Sequence, residues 1–130
     1  MDKLLTGRRL LIIEDEMLVL MLIEDMLEDL GCTSVTTAAT VERALELIGA
    51  HDFDAAMLDM NLNGDSTHAV ADALARKRVP FIFATGYAGR EMREGYGDRP
   101  ILTKPYHPDE LAAILTPFFT PDPIPAASSP

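Results

Sequence analysis

With 130 residues, 48% of them hydrophobic, and a formal net charge of −10, the chain has the size and composition of one globular domain around a single core. The acidic balance argues against direct nucleic-acid binding, which needs Lys and Arg clustered against phosphate. The longest apolar run, Met17 to Ile23, is too short to cross a bilayer, so no membrane association is expected. The N-terminal Met1-Asp2-Lys3-Leu4-Leu5-Thr6 lacks the apolar region of a signal peptide, which implies a cytoplasmic location. The single cysteine, Cys32, rules out an internal disulfide or a cysteine zinc cluster and is expected to be a small core residue.

Leu10-Leu11-Ile12-Ile13 is fully apolar and bounded by Arg8-Arg9 and by acids, as befits a strand buried on both faces of a parallel sheet. Helix formers follow from Met17 to Leu30, with Gly31 as the stop. The acids Glu24, Asp25, Glu28 and Asp29 mark its wet face. Met17 to Ile23, however, is apolar all round, more than one buried stripe needs. A deeply packed helix is the simpler reading, and a partner-docking surface the alternative. Thr33-Ser34-Val35-Thr36 is β-branched but polar, which suits a strand at a sheet edge. Thr40 reads as an N-cap, with Val41, Ala44, Leu45 and Ile48 at helical spacing and Gly49 as the stop.

Ala55 to Leu58 is a strand ending at Asp59, followed by a loop through Gly64-Asp65 and a helix from about Ser66 to Arg78. Arg76-Lys77-Arg78, and the later Arg90, Arg93 and Arg99, read as solvated polar positions. Pro80 opens the strand Phe81 to Ala84, which ends at Thr85. Segment 86–99 holds four glycines, so any helix there, such as Arg90 to Glu94, is short. Ile101-Leu102-Thr103 is the last strand and ends at Lys104. Pro108, Asp109 and Glu110 open a final helix whose core face is Leu111, Ile114 and Leu115. Five prolines from Pro117 onward argue for an extended tail; the domain is expected to span residues 1–119 and the Pro-rich disordered tail 120–130.

Five strands alternating with helical segments imply an α/β parallel sheet with right-handed crossovers and helices on both faces. In such sheets the working site lies outside the carboxyl ends of the strands. Glu14-Asp15, Asp59, Thr85 and Lys104 all follow strands and therefore converge. An acid after a single strand is commonly a turn or cap residue; four such tips in one order are harder to attribute to turns. Three carboxylates at one spot resist ionising together unless a cation joins them, and oxygen ligands without His or Cys suit Mg²⁺. A carboxylate beside Mg²⁺ with an amine and a hydroxyl nearby is a phosphoryl-accepting constellation. His51, His68 and His107 have no metal-ligand spacing and read as surface residues.

From about Arg8 to Phe119, these motifs resemble the receiver domain of two-component response regulators. Glu14-Asp15 looks like the family's acidic pair, Asp59 like its phosphoacceptor, Thr85-Gly86 like its switch hydroxyl, and Lys104-Pro105 like its Lys-Pro pair. Phe83-Ala84-Thr85-Gly86-Tyr87 also resembles the signature of the FATGUY receivers found among alphaproteobacterial single-domain regulators. The resemblance implies a flavodoxin-like fold with five parallel strands in the order 2-1-3-4-5. It implies that Asp59 takes a phosphoryl group from a sensor histidine kinase or histidine phosphotransfer protein. Asp15, Asp59 and the main-chain carbonyl of Asn61 would bind Mg²⁺, with Glu14 acting through water. Lys104 and Thr85 would contact the phosphoryl group, and the Lys104-Pro105 bond would be cis. Output would pass to a downstream protein partner through protein–protein contact. Such a stand-alone receiver is not an enzyme in the usual sense, although it can lose its own phosphoryl group.

Three departures stand out. Glu14 replaces the usual Asp, Asn63 stands where many receivers have Pro, and Ile101 occupies the place of the aromatic switch residue. The familiar aromatic relay is therefore absent, and Tyr87 is a candidate replacement. Two other readings compete: a kinase-docking module that needs no phosphorylation, and a small phosphohydrolase. The latter needs a general acid two residues after its nucleophile, where Asn61 stands.

Overall fold

The computed structural model describes residues 4–59, 61–62, 65–85, 101–103 and 108–119. The expected short helix at Arg90–Glu94, the Lys104-Pro105 bond, Tyr87 and the tail 120–130 lie outside these residues. Four strands of five residues each form the body of a parallel sheet: β1 (Arg9–Ile13), β2 (Ser34–Ala38), β3 (Ala55–Asp59) and β4 (Phe81–Thr85). They run in the order β2-β1-β3-β4, and a three-residue β5 (Ile101–Thr103) pairs with the end of β4. The helices are α1 (Met17–Asp29), α2 (Val41–Ala50), α3 (His68–Arg76) and α4 (Pro108–Phe119).

Alternation along the apolar strands divides the core in two. Leu11, Ile13, Ala56, Leu58, Phe81 and Phe83 point toward α2 and α3. Leu10, Ile12, Ala55, Met57, Ile82 and Ala84 pack with Ile23, Met26 and Leu27 of α1 and with Leu111 and Leu115 of α4. Cys32 joins this second layer; burial pushes its thiol above the ordinary value, and Sγ lies 3.6 Å from the carbonyls of Arg8 and Ser34. The polar β2 occupies the sheet edge.

Several boundaries differ from those read in the sequence. The turn before β1 is part of the fold: Leu5 is fully buried, and its N–H donates to the Leu30 carbonyl at 2.9 Å. Gly49 does not stop α2, which continues to Ala50. Ser66 belongs not to α3 but to a short antiparallel hairpin in which Asn61 pairs with Ser66 and Leu62 with Asp65. Pro117 lies inside α4, and the following Phe118 and Phe119 pack against the core, with the Arg8 guanidinium 4.7 Å above the Phe119 ring. That contact holds Phe119 to the body of the domain.

The basic cluster at the end of α3 is also not merely solvated. Lys77 Nζ donates to the carbonyls of Ile48 and His51, at 2.7 and 3.1 Å, and so closes the carbonyl end of α2. Arg78 has φ +61°. Its N–H donates to the Ala75 carbonyl and that of Val79 to Leu74, the paired bonds of a Schellman stop. Helix α1 ends in the same way at Gly31 (φ +95°), with Gly31 N–H to Glu28 and Cys32 N–H to Leu27. The second stop thus carries a side chain in a left-handed conformation that favours glycine. Arg78→Gly is expected to stabilise the fold by about 0.5–1 kcal/mol. Urea unfolding checks this as a higher midpoint at unchanged slope.

Candidate functional site

The sheet places the site. β1 pairs with β2 on one side and β3 on the other, so the chain reverses direction of winding between β1 and β3. A crevice opens at such a reversal, outside the carboxyl ends of the strands. The register pairs Ile13 with Leu58, which sets Glu14 level with Asp59. From Leu10 and from Ala55 both strands are apolar up to this level, and so the first carboxylates of each emerge together.

Glu14 is only 2% exposed and Asp59 only 9%. The Glu14 backbone N–H donates to the Ala38 carbonyl at 3.0 Å, extending the ladder to β2 by one residue. Its carboxylate turns inward and accepts from the Glu16 N–H at 3.1 Å. Glu16 is the N-cap of α1, so this anion also sits against the positive end of that helix. Asp15 is half-buried, and one oxygen from each of Glu14, Asp15 and Asp59 lies within 4.8 Å of the others. Three anionic oxygens this close, two of them buried, fit a hard divalent cation as donor set and do not fit a soft metal.

Of the remaining sequence-derived residues, Thr85, Asn61 and Ile101 are among those described. Asp59 pairs in register with Ala84, so Thr85 is one residue further along the neighbouring strand. Thr85 in turn pairs with Thr103, the residue before Lys104. Ile101 pairs with Phe83, two residues below that level. Asn61 lies in the short hairpin that follows β3. Lys104 and Tyr87 lie outside the described residues.

One residue of the site was not legible in the sequence. Thr67 is 1% exposed, and its hydroxyl donates to the Asp59 main-chain carbonyl at 2.7 Å. The only sequence signal was a Thr shortly before the apolar positions of α3, the same signal that marks an ordinary cap.

Beside the carboxylates, the start of α1 presents an apolar surface. Leu18 is 81% exposed and Met17 67%, and Met21 and Leu22 are exposed one turn on. The deeply packed helix suggested by its composition is therefore not what forms. Only the stripe through Val19, Leu20, Ile23, Met26 and Leu27 meets the core. No helix among the described residues is long and apolar enough to cross a membrane.

Comparison with known proteins agrees with this geometry. Residues 10–116 match the response regulator receiver domain family. The chain is 34% identical over 112 residues to the cell cycle response regulator CtrA of Brucella ovis, an alignment covering 82% of the chain and 48% of CtrA. The chain thus spans about half the length of that relative. Among solved structures, SdrG from Sphingomonas melonis Fr1 superposes with a TM-score of 0.77 at 42% identity, covering 85% of this chain and 95% of SdrG. The receiver domain of the sensor histidine kinase PA1611 from Pseudomonas aeruginosa PAO1, with a magnesium ion coordinated in its active site cleft, does so at 0.77 and 27% identity. That match covers 88% of this chain and 98% of the other. By sequence match and by fold, with acids at the sheet's reversal point, this chain belongs to the response regulator receiver domain family.

Proposed function

We propose that Asp59 accepts a phosphoryl group from a phosphohistidine on a sensor histidine kinase or histidine phosphotransfer protein, in a Mg²⁺-dependent reaction. The observation that carries this reading is the carboxylate cluster at the ends of β1 and β3, with Glu14 and Asp59 buried and Asp15 partly exposed. Asp15, Asp59 and the Asn61 main-chain carbonyl would hold the cation, with Glu14 acting through water. When bound, Mg²⁺ neutralises charge on the transferring oxygens. An Asp59 oxygen forms the new O–P bond as the N–P bond breaks, and the imidazole leaves with the bonding pair. Lys104 pairs with the carboxylate and then with the phosphoryl group, and Thr85 donates a hydrogen bond to it. Signal leaves by contact with a downstream protein, through Tyr87 and the neighbourhood of Ile101 rather than an aromatic relay.

The donor is read from α1. On its solvent side the rows Leu18-Leu22-Asp25-Asp29 and Met17-Met21-Glu24-Glu28 follow helical spacing. Both rows are apolar beside the carboxylates and acidic at the far end. This pattern suits a partner helix that is apolar near its phosphohistidine and basic further along.

The test is to mix the protein with phosphorylated histidine kinase and Mg²⁺ and to trap the product with borohydride. Reduction converts an aspartyl phosphate to homoserine, which mass spectrometry locates. Homoserine at position 59 is expected; homoserine elsewhere, or none, overturns the reading.

A further inference from the structure

We infer that Thr67 is a positioning residue for phosphoryl acceptance, acting through the main chain of Asp59; the inference rests on the reading of Asp59 as acceptor. Glu14, Asp59 and Thr67 are the buried polar or charged residues among those described, and two of the three are carboxylates of the site. The chain contains a direct internal comparison. Thr40 and Thr67 both precede helices, at the N-cap positions of α2 and α3. The Thr40 hydroxyl does what a cap does and accepts from the Arg43 N–H at 3.1 Å. Thr67 makes no side-chain cap bond. Its carbonyl accepts from the Val70 and Ala71 N–H groups, while its hydroxyl turns back and donates to the Asp59 carbonyl at 2.7 Å. The residue gives up the cap to hold the end of β3.

Two consequences follow from that bond. It fixes the carbonyl of Asp59, and with it the backbone from which the acceptor carboxylate projects into the crevice. It also joins the two ends of the excursion between residues 59 and 67. That excursion contains the hairpin pairing Asn61 with Ser66, and its Leu62 is buried in the core. A single hydroxyl thereby sets the relative placement of three parts: the acceptor, the hairpin bearing the proposed carbonyl ligand Asn61, and the start of α3. Outer partners that orient a metal ligand typically alter metal affinity or activity about 10–100-fold when lost.

The experiment compares wild type, Thr67→Val and Thr67→Ser in the full chain. Valine removes the donor at nearly constant volume, and serine restores it. Mg²⁺ affinity is measured by calorimetry, and phosphoryl uptake from acetyl phosphate by gel shift, with urea unfolding alongside. Thr67→Val is expected to weaken Mg²⁺ binding and slow uptake by about tenfold each, with Thr67→Ser within twofold of wild type. A folded Thr67→Val that binds Mg²⁺ and takes up phosphate like wild type, at lower stability alone, overturns the inference. If valine does not fold, Thr67→Ala, whose smaller side chain leaves room for water, is read by the same criteria. Trapped phosphate at a residue other than Asp59 in the wild type refutes the acceptor reading instead, which keeps the two failures distinct.

Discussion

Asp59→Asn is expected to abolish phosphoryl uptake and, in the absence of divalent cation, to make the protein more stable. The first effect follows from chemistry, because a neutral amide is a poor nucleophile toward phosphorus; a loss of at least about 10³-fold is expected. The second follows from the cluster. Two like charges within 4.8 Å of one another repel by about 3 kcal/mol at the effective dielectric of a protein site near its surface. Solvent reaching the half-exposed Asp15 and local relaxation reduce what the fold retains to about 1–2 kcal/mol. Mg²⁺ reverses the order. At a hundred times its dissociation constant a cation adds about 2.7 kcal/mol to a protein that binds it only when folded. The variant, with one anionic ligand removed, gains less. Urea midpoints with and without Mg²⁺ should therefore cross between wild type and variant. A variant less stable than wild type in chelator would show that what the Asp59 carboxylate gains from its own partners, the proposed Lys104 ion pair among them, outweighs this repulsion. Kinase binding and cellular output that persist in Asp59→Ala would identify a docking module that needs no phosphorylation.

The strands of this fold were readable because each central strand is apolar on both faces and stops abruptly at a polar residue. That pattern singled out Glu14, Asp15 and Asp59, and the β1–β3 register brings their carboxylate oxygens together. Helix ends were less legible. Gly31 announced its stop, but Arg78 makes the same Schellman turn with a side chain that predicts nothing of the kind. Lys77 looked like a surface charge because its partners, the carbonyls of Ile48 and His51, lie at the end of another helix. Thr67 was missed for a related reason: a hydroxyl before a helix can cap that helix or bond elsewhere, and composition does not separate the two. Tertiary partners decided each of these residues.

Leu18→Ala is expected to weaken transfer from the kinase while leaving the fold and the acceptor chemistry intact. The side chain is 81% exposed, so its truncation removes little from the core. Alanine is also the stronger helix former, and stability should change by less than about 0.5 kcal/mol. Burying a leucine in an interface contributes about 1.5–3 kcal/mol. Its removal from the centre of the apolar patch should raise the half-saturating concentration for phosphotransfer by about 30-fold. Uptake from acetyl phosphate, which needs no docking, should be unchanged. Glu28→Lys, at the acidic end of the same face, should act differently. Its effect should fall on the association rate and fade with added salt, because an exposed charge steers encounter more than it holds the complex. If Leu18→Ala also slows acetyl phosphate uptake, the residue acts on the site rather than on docking. If neither reaction changes, the kinase binds another surface, and the apolar start of α1 serves some other partner. The divided face, apolar beside Asp15 and acidic beyond it, then gives the chemistry by which to seek that partner: a helix with an apolar stripe and a basic end.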